Sequence, residues 1–139
     1  MNYGEILSTF FIDLQSFFRK NVKIQGATFP QLVALISIPD NGIEMSTIAK
    51  KIGIDNSSAT RLLFGIEKKG WIRRSVSSHD KRVVDVFLTD KGEHLQREIE
   101  KHIENVGSEI EKQIEPIDRN DVIESILILN WALLKTKLK

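Results

Sequence analysis

S46-T-I-A-K-K-I-G-I-D-N-S-S-A-T-R-L-L-F-G-I-E-K-K-G70 reads as two short helices joined by a tight turn. Ile48, Ala49 and Ile52 share one side of the first helix, and Ala59, Leu62, Leu63 and Ile66 share one side of the second, at the spacing of a buried face. Ala49 leaves room for the helices to cross closely, and Gly53 can take the φ > 0 conformation that a sharp corner often needs. Such a helix-turn-helix is a device for laying its second helix in a DNA major groove.

The next eighteen residues strengthen that reading. W71-I-R-R-S-V76 and R82-V-V-D-V-F-L88 are rich in β-branched and aromatic residues, and the polar S77-S-H-D-K81 between them reads as a hairpin tip. Helix-turn-helix followed by hairpin is a winged helix. The expected fold class is therefore mostly α, with about six helices and a small β-hairpin wing.

Toward the N-terminus, Leu7, Phe10, Phe11, Leu14, Phe17 and Phe18 fall at helical spacing in a first helix over about residues 4–23. Thr28 opens a second helix with a capping box to Gln31 and Pro30 in its first turn, and Leu32, Val33, Leu35, Ile36 and Ile38 form its buried side. Pro39 stops it, and Asn41-Gly42 turns the chain toward Ile43, which is placed for a short third strand beside the hairpin. After the wing, Thr89 is placed to cap a long helix to about Ile114, with Leu95, Ile99, His102, Ile103, Val106 and Ile110 along one stripe. Pro116 breaks it. Asp118 is expected to cap a last helix, with Ile117 and Val122 as a hydrophobic staple. Ile123, Ile126, Leu127, Leu129, Trp131, Leu133 and Leu134 make that helix apolar around most of its girth, so it needs a partner, and the terminal helices read as a homodimer interface.

The chain of 139 residues has the size of one domain and a formal net charge of +1. That small figure conceals an asymmetry, because residues 43–82 carry nine Lys and Arg against four Asp and Glu, while residues 90–119 are acidic. One basic surface beside an acidic remainder suits a protein that meets phosphates locally. With no cysteine, disulfides, thiolate metal sites and thiol oxidation sensing within the chain are excluded. Asp13 and Gln15 interrupt the apolar N-terminal stretch, which has no basic n-region, so neither a signal peptide nor a membrane span is expected and the location expected is cytoplasmic.

Asp55 is placed to cap the second helix of the motif, which puts Asn56, Ser57 and Ser58 in a first turn whose unpaired N–H groups favour a phosphate. Ser57, Ser58, Thr60 and Arg61 fall mainly away from the apolar face and form the expected DNA-contact set, with Arg61 able to grip guanine O6 and N7. In the wing, Asp80 and Arg82 stand two apart and can project from one face, so an ion pair can orient Arg82, while His79 and Lys81 at the tip would meet phosphates. Arg73 and Arg74 alternate across a strand, so one faces DNA and the other braces the wing; Arg74 is taken as the DNA-facing one. Lys68 and Lys69 extend the basic surface. Phe64 and Gly65 each cost stability in an exposed helix, and neither has a role that spacing or composition assigns.

Enzyme chemistry finds no support. His94 and His102 lie eight apart, roughly 12 Å along a helix, too far to share one metal ion. Ser57, His79 and Asp80 name a triad but lack an oxyanion pocket or a glycine-rich elbow. No cofactor is expected.

The segment D80-K-R-V-V-D-V-F-L-T-D-K-G92 resembles the Asp-x-Arg wing signature, ending in Leu-Thr-x-x-Gly, of MarR-type transcription regulators. G70-W-I-R-R74 precedes it, and T28-F-P-Q-L-V-A-L35 stands upstream, as in that family, so the resemblance covers nearly the whole chain. It implies a single domain over 1–139, with a winged-helix DNA-binding lobe at 28–92 and dimerisation helices at 1–24 and 93–139. It implies a sequence-specific regulator, more often a repressor, that binds an inverted repeat of double-stranded DNA as a homodimer. The wing arginine Arg82 would enter an A·T-rich minor groove. It also implies a cleft for a small lipophilic or aromatic effector that releases the operator. Phe10, Phe11, Leu14 and Phe17, with Leu35 and Ile38, are the residues that would line such a cleft. Two alternatives stay open: those residues are core and interface, and the chain is a ligand-independent winged-helix module docking a protein partner.

Overall fold

In the computed structural model, which describes residues 1–138, helix α1 (Tyr3–Asn21) is followed by α2 (Phe29–Ile36), strand β1 (Ile43–Glu44), α3 (Met45–Ile52), α4 (Asn56–Lys68), strands β2 (Ile72–Val76) and β3 (Val84–Leu88), and α5 (Asp90–Lys112). A 3-10 turn at Pro116–Asp118 then leads into α6 (Arg119–Lys137). By contact, Met1–Glu104 form one compact unit and the residues from Asn105 form another.

Local chemistry accounts for most helix ends in the first unit. Asn2 and Thr28 make capping boxes with Glu5 and Gln31, and Asp55 accepts from the backbone of Ser58. The Thr89 hydroxyl accepts from Gly92 N at 3.0 Å and opens α5. Gly53 closes α3 at φ 77°, a left-handed conformation that a side chain would resist.

The core of this unit is built where α2, α3, α4 and the sheet converge. Ala34, Leu35, Ile48, Ala59, Leu63, Ile66, Val86 and Ile99 are fully buried. Ile36 departs from expectation: it is 40% exposed, and Ala34 takes its place inside because α2 is a single short helix that presents only one face. The α2 end is tied down by two long side chains. Gln96 of α5 donates to Leu35 O at 2.7 Å and Ile38 O at 2.8 Å, and Lys51 of α3 donates to Ser37 O at 2.9 Å. These supply partners to carbonyls that a helix C-terminus leaves open.

The sheet has the order β1-β3-β2, with both neighbours antiparallel to β3. Ile43 lies opposite Val86 and Glu44 opposite Asp85, so the short first strand pairs with the middle of β3. Gly92 must be glycine here, since a methyl group at its Cα would overlap the Trp71 carbonyl.

In the second unit the expected side-chain cap of α6 is not formed. Asp118 sits in the helical region at φ −94° and ψ −11° and makes no capping hydrogen bond, because the 3-10 turn runs straight into the helix without an extended cap residue. The staple is also absent, with Ile117 87% exposed. No residue of α6 is buried, nor any of α1 in the first unit, although both helices are rich in large apolar side chains.

Candidate nucleic-acid interface

The Asp55 cap fixes where α4 begins. Its carboxylate accepts from Ser58 N at 2.7 Å and from Ser58 Oγ at 3.1 Å, and these two bonds hold its carboxyl below the usual carboxylate range. Ser58 is therefore engaged in the cap and half-buried, while Asn56, Ser57, Thr60 and Arg61 are exposed. Thr60 Oγ1 donates back to Asn56 O at 2.8 Å, which leaves Ser57 and Arg61 as the more adaptable polar groups of the arc.

The wing is ordered by its acid. Asp80 accepts from Arg82 N at 2.9 Å and from Arg82 Nε and Nη2 at 3.1 Å each, and Val83 N donates to Asp80 O at 3.0 Å to close the turn. The side chain of Arg82 remains 90% exposed while so held. The Arg82 guanidinium and its backbone N–H together keep the Asp80 carboxyl below its ordinary range. His79 and Lys81 are exposed beside them. Arg82 and Asn56 line one cleft with Glu44, Met45, Ser46, Val83 and Val84, so the tip-side start of β3 and the start of α4 face a common space.

Arg74 is put to a different use from the one expected. Its register partner is Val86, which is fully buried, so Arg74 shares the inward face of the hairpin and reaches α4. There its Nε lies 3.1 Å from both carboxylate oxygens of Glu67, and its guanidinium is 5.9 Å from the centre of the Phe64 ring. Arg73 falls on the outer face and stacks on Phe87, its cross-strand partner, at 4.4 Å. Both arginines brace the wing. Lys69 likewise turns inward, donating to Gly26 O and, at 2.7 Å, to Gln31 Oε1, and so ties the end of α4 to the start of α2 instead of extending the basic surface.

The six residues expected around an effector are not brought together. Leu35 and Ile38 are 0% and 2% exposed in the core, whereas Phe10, Phe11 and Phe17 are exposed on α1. A shallow apolar groove does exist, lined by Phe11, Leu14, Gln15, Phe18 and Phe29, with the Arg19 guanidinium stacked 4.4 Å above the Phe29 ring. Helical spacing alone cannot assign Phe18 and Phe29 to it, since the groove forms only when α1 and the first turn of α2 meet.

Comparison with known proteins gives this geometry a context. Residues 28–84 match the profile of the MarR family. The chain is 33% identical over 114 residues to the uncharacterized HTH-type transcriptional regulator YfiV of Bacillus subtilis, covering 79% of this chain and 69% of that one. It is 35% identical over 83 residues to the transcriptional repressor MprA of Escherichia coli, covering 58% of this chain and 47% of MprA, so it spans about half of that relative's length. In fold it is similar to FabT of Streptococcus pneumoniae, whose structure is a complex with DNA, at a TM-score of 0.77 and 21% identity over 98% of this chain and 96% of FabT. A winged helix-turn-helix with this sequence and this architecture belongs to the MarR family.

Proposed function

We propose that the chain binds double-stranded DNA sequence-specifically as a homodimer and represses transcription from an inverted-repeat operator. The observation that carries this reading is Arg82, a wing-tip arginine held by a carboxylate on two sides yet 90% exposed, next to an α4 whose outer arc is polar. A cation fixed in direction but not covered by protein is built for an external anion or a narrow groove. The basic excess around α4 supports the same partner, and the name of MprA supports the sign of regulation. The apolar faces of α1 and α6 support a second copy as what covers them.

Release of the operator by a small lipophilic or aromatic ligand is the finer part of the proposal. The groove of Phe11, Leu14, Phe18 and Phe29, with Arg19 at its edge, is where such a ligand would find both an apolar wall and a cation.

Retention of a random duplex pool by the chain, measured against salt, tests the reading. Six to ten phosphate contacts would weaken binding by roughly 10³ to 10⁵ between 50 and 200 mM salt. Absence of any retained duplex, with retention of a protein partner indifferent to salt, would replace this reading with the docking module.

A further inference from the structure

Phe64 sits in the middle of a surface that is otherwise polar or charged. At 3.6 residues per turn, Ser57, Thr60, Arg61, Phe64 and Lys68 fall on one arc of α4, turned away from the buried Ala59, Leu63 and Ile66. The ring is 46% exposed. A lone exposed aromatic needs no explanation. This one stands at the centre of the proposed DNA face, and two cations flank it, with Lys68 Nζ 4.8 Å and the Arg74 guanidinium 5.9 Å from the ring centre. Arg74 is itself tied to Glu67, its Nη2 3.0 Å from Oε1. Groups from both the helix and the wing therefore hold the ring, and a side chain already ordered loses less entropy on binding.

We propose that Phe64 is a specificity-determining residue that packs on the 5-methyl group of a thymine in the major groove, a proposal that rests on the DNA-binding reading. An uncharged ring offers no hydrogen bond to a base edge, and the apolar group that the major groove presents is the thymine methyl. Phe64 follows Ser57 by seven residues, about 10.5 Å along the helix axis, which corresponds to about three base-pair steps. A helix whose first turn touches bases thus carries Phe64 into the same groove. Lys68 is exposed beside the ring, while Arg74, turned inward to Glu67, braces the ring from the wing.

The test pairs a deletion on the protein with a deletion on the DNA. Duplexes recovered from a random pool by the full chain define the bound sequence, and each thymine in it is replaced in turn by deoxyuridine, which lacks only the methyl group. Burying one such group against an aromatic ring is worth about fourfold in affinity per half-site. One symmetric thymine position should show that loss with the parent chain, and the same position should become indifferent to the methyl group in Phe64→Ala. Because the side chain is exposed, Phe64→Ala should keep a thermal midpoint near the parent's. Phe64→Leu, which retains apolar bulk, should keep part of the sensitivity. A parent indifferent to every thymine methyl, or a sensitivity that survives in Phe64→Ala, would overturn the proposal and leave DNA binding standing. A parent that retains no duplex at all would overturn both.

Discussion

Asp80 and Arg82 form a closed clamp at the wing tip, in which one carboxylate accepts from the backbone N–H, Nε and Nη2 of the same arginine. Charge and hydrogen bonding act in one direction here, both favouring the ionised acid. The folded carboxyl therefore titrates below the unfolded one, so the clamp contributes above the ordinary carboxylate range and is lost as pH falls through the lowered value. Carboxyl-carbon NMR should place the Asp80 midpoint below 3.8, and Arg82→Ala should bring it back toward that figure. A midpoint unmoved by Arg82→Ala would mean that the ion pair does not persist in solution.

Removing the arginine should matter more for DNA than for the fold. Arg82→Ala is expected to weaken operator binding by roughly 1 to 3 kcal/mol with little change in thermal midpoint, because the side chain is 90% exposed. Asp80→Ala should weaken it less, through lost orientation alone. A variant that melts much lower but binds like the parent would show that the pair serves the hairpin only.

Two helical glycines should respond to alanine with opposite signs. At Gly65 an added Cβ meets Gln31 Nε2 at 3.5 Å, an ordinary contact, so Gly65→Ala should stabilise the chain by up to about 1 kcal/mol. Gly92→Ala would force the start of α5 away from the Trp71 backbone and should destabilise the chain severely. Denaturant unfolding of both variants checks the contrast, and a stable Gly92→Ala would show that α5 can shift at little cost.

Much of this architecture is legible in the sequence because its determinants are local. The capping box at Thr28, the Asp55 cap and the Gly53 corner each involve residues within a few positions of one another, and all are present. What depends on distant partners is not legible in the same way. Which of Arg73 and Arg74 turns inward follows from pairing with β3, and a shift of one residue would exchange them. Lys69 finds its carbonyl and Gln31 across more than thirty positions of sequence, and Leu35 is closed off by Gln96 from α5. Periodicity marks an apolar face; it does not say whether that face is core, groove or interface, and the groove on α1 takes shape only where Phe11, Leu14 and Phe18 meet Phe29 of α2.

Self-association should depend on the apolar girth of α6. Leu127 and Trp131 are 61% and 59% exposed, one turn apart on that helix. Sedimentation at micromolar concentration should give a dimer for the parent and a shift toward monomer for Trp131→Glu, since a charge placed in a covered apolar surface is left unpaired. A monomeric parent that still binds a palindromic duplex tightly would remove the dimer from the proposal.

Arg61 is exposed on the same arc as Ser57, six residues after the Asp55 cap. Its guanidinium can contribute in two ways that charge alone does not separate: a fork on the O6 and N7 of guanine, or a clamp on a phosphate. Arg61→Lys keeps the charge and loses the planar fork. Measured against a panel of single-base variants of the bound sequence, direct readout predicts that discrimination collapses at one symmetric position, by roughly 1 to 3 kcal/mol, while the remaining positions keep their preferences. A phosphate contact predicts instead a small, uniform change on every duplex and an unchanged preference at all positions. In that second outcome the hydroxyls of α4, the Phe64 ring and the shape of the minor groove under Arg82 would be left to carry the specificity.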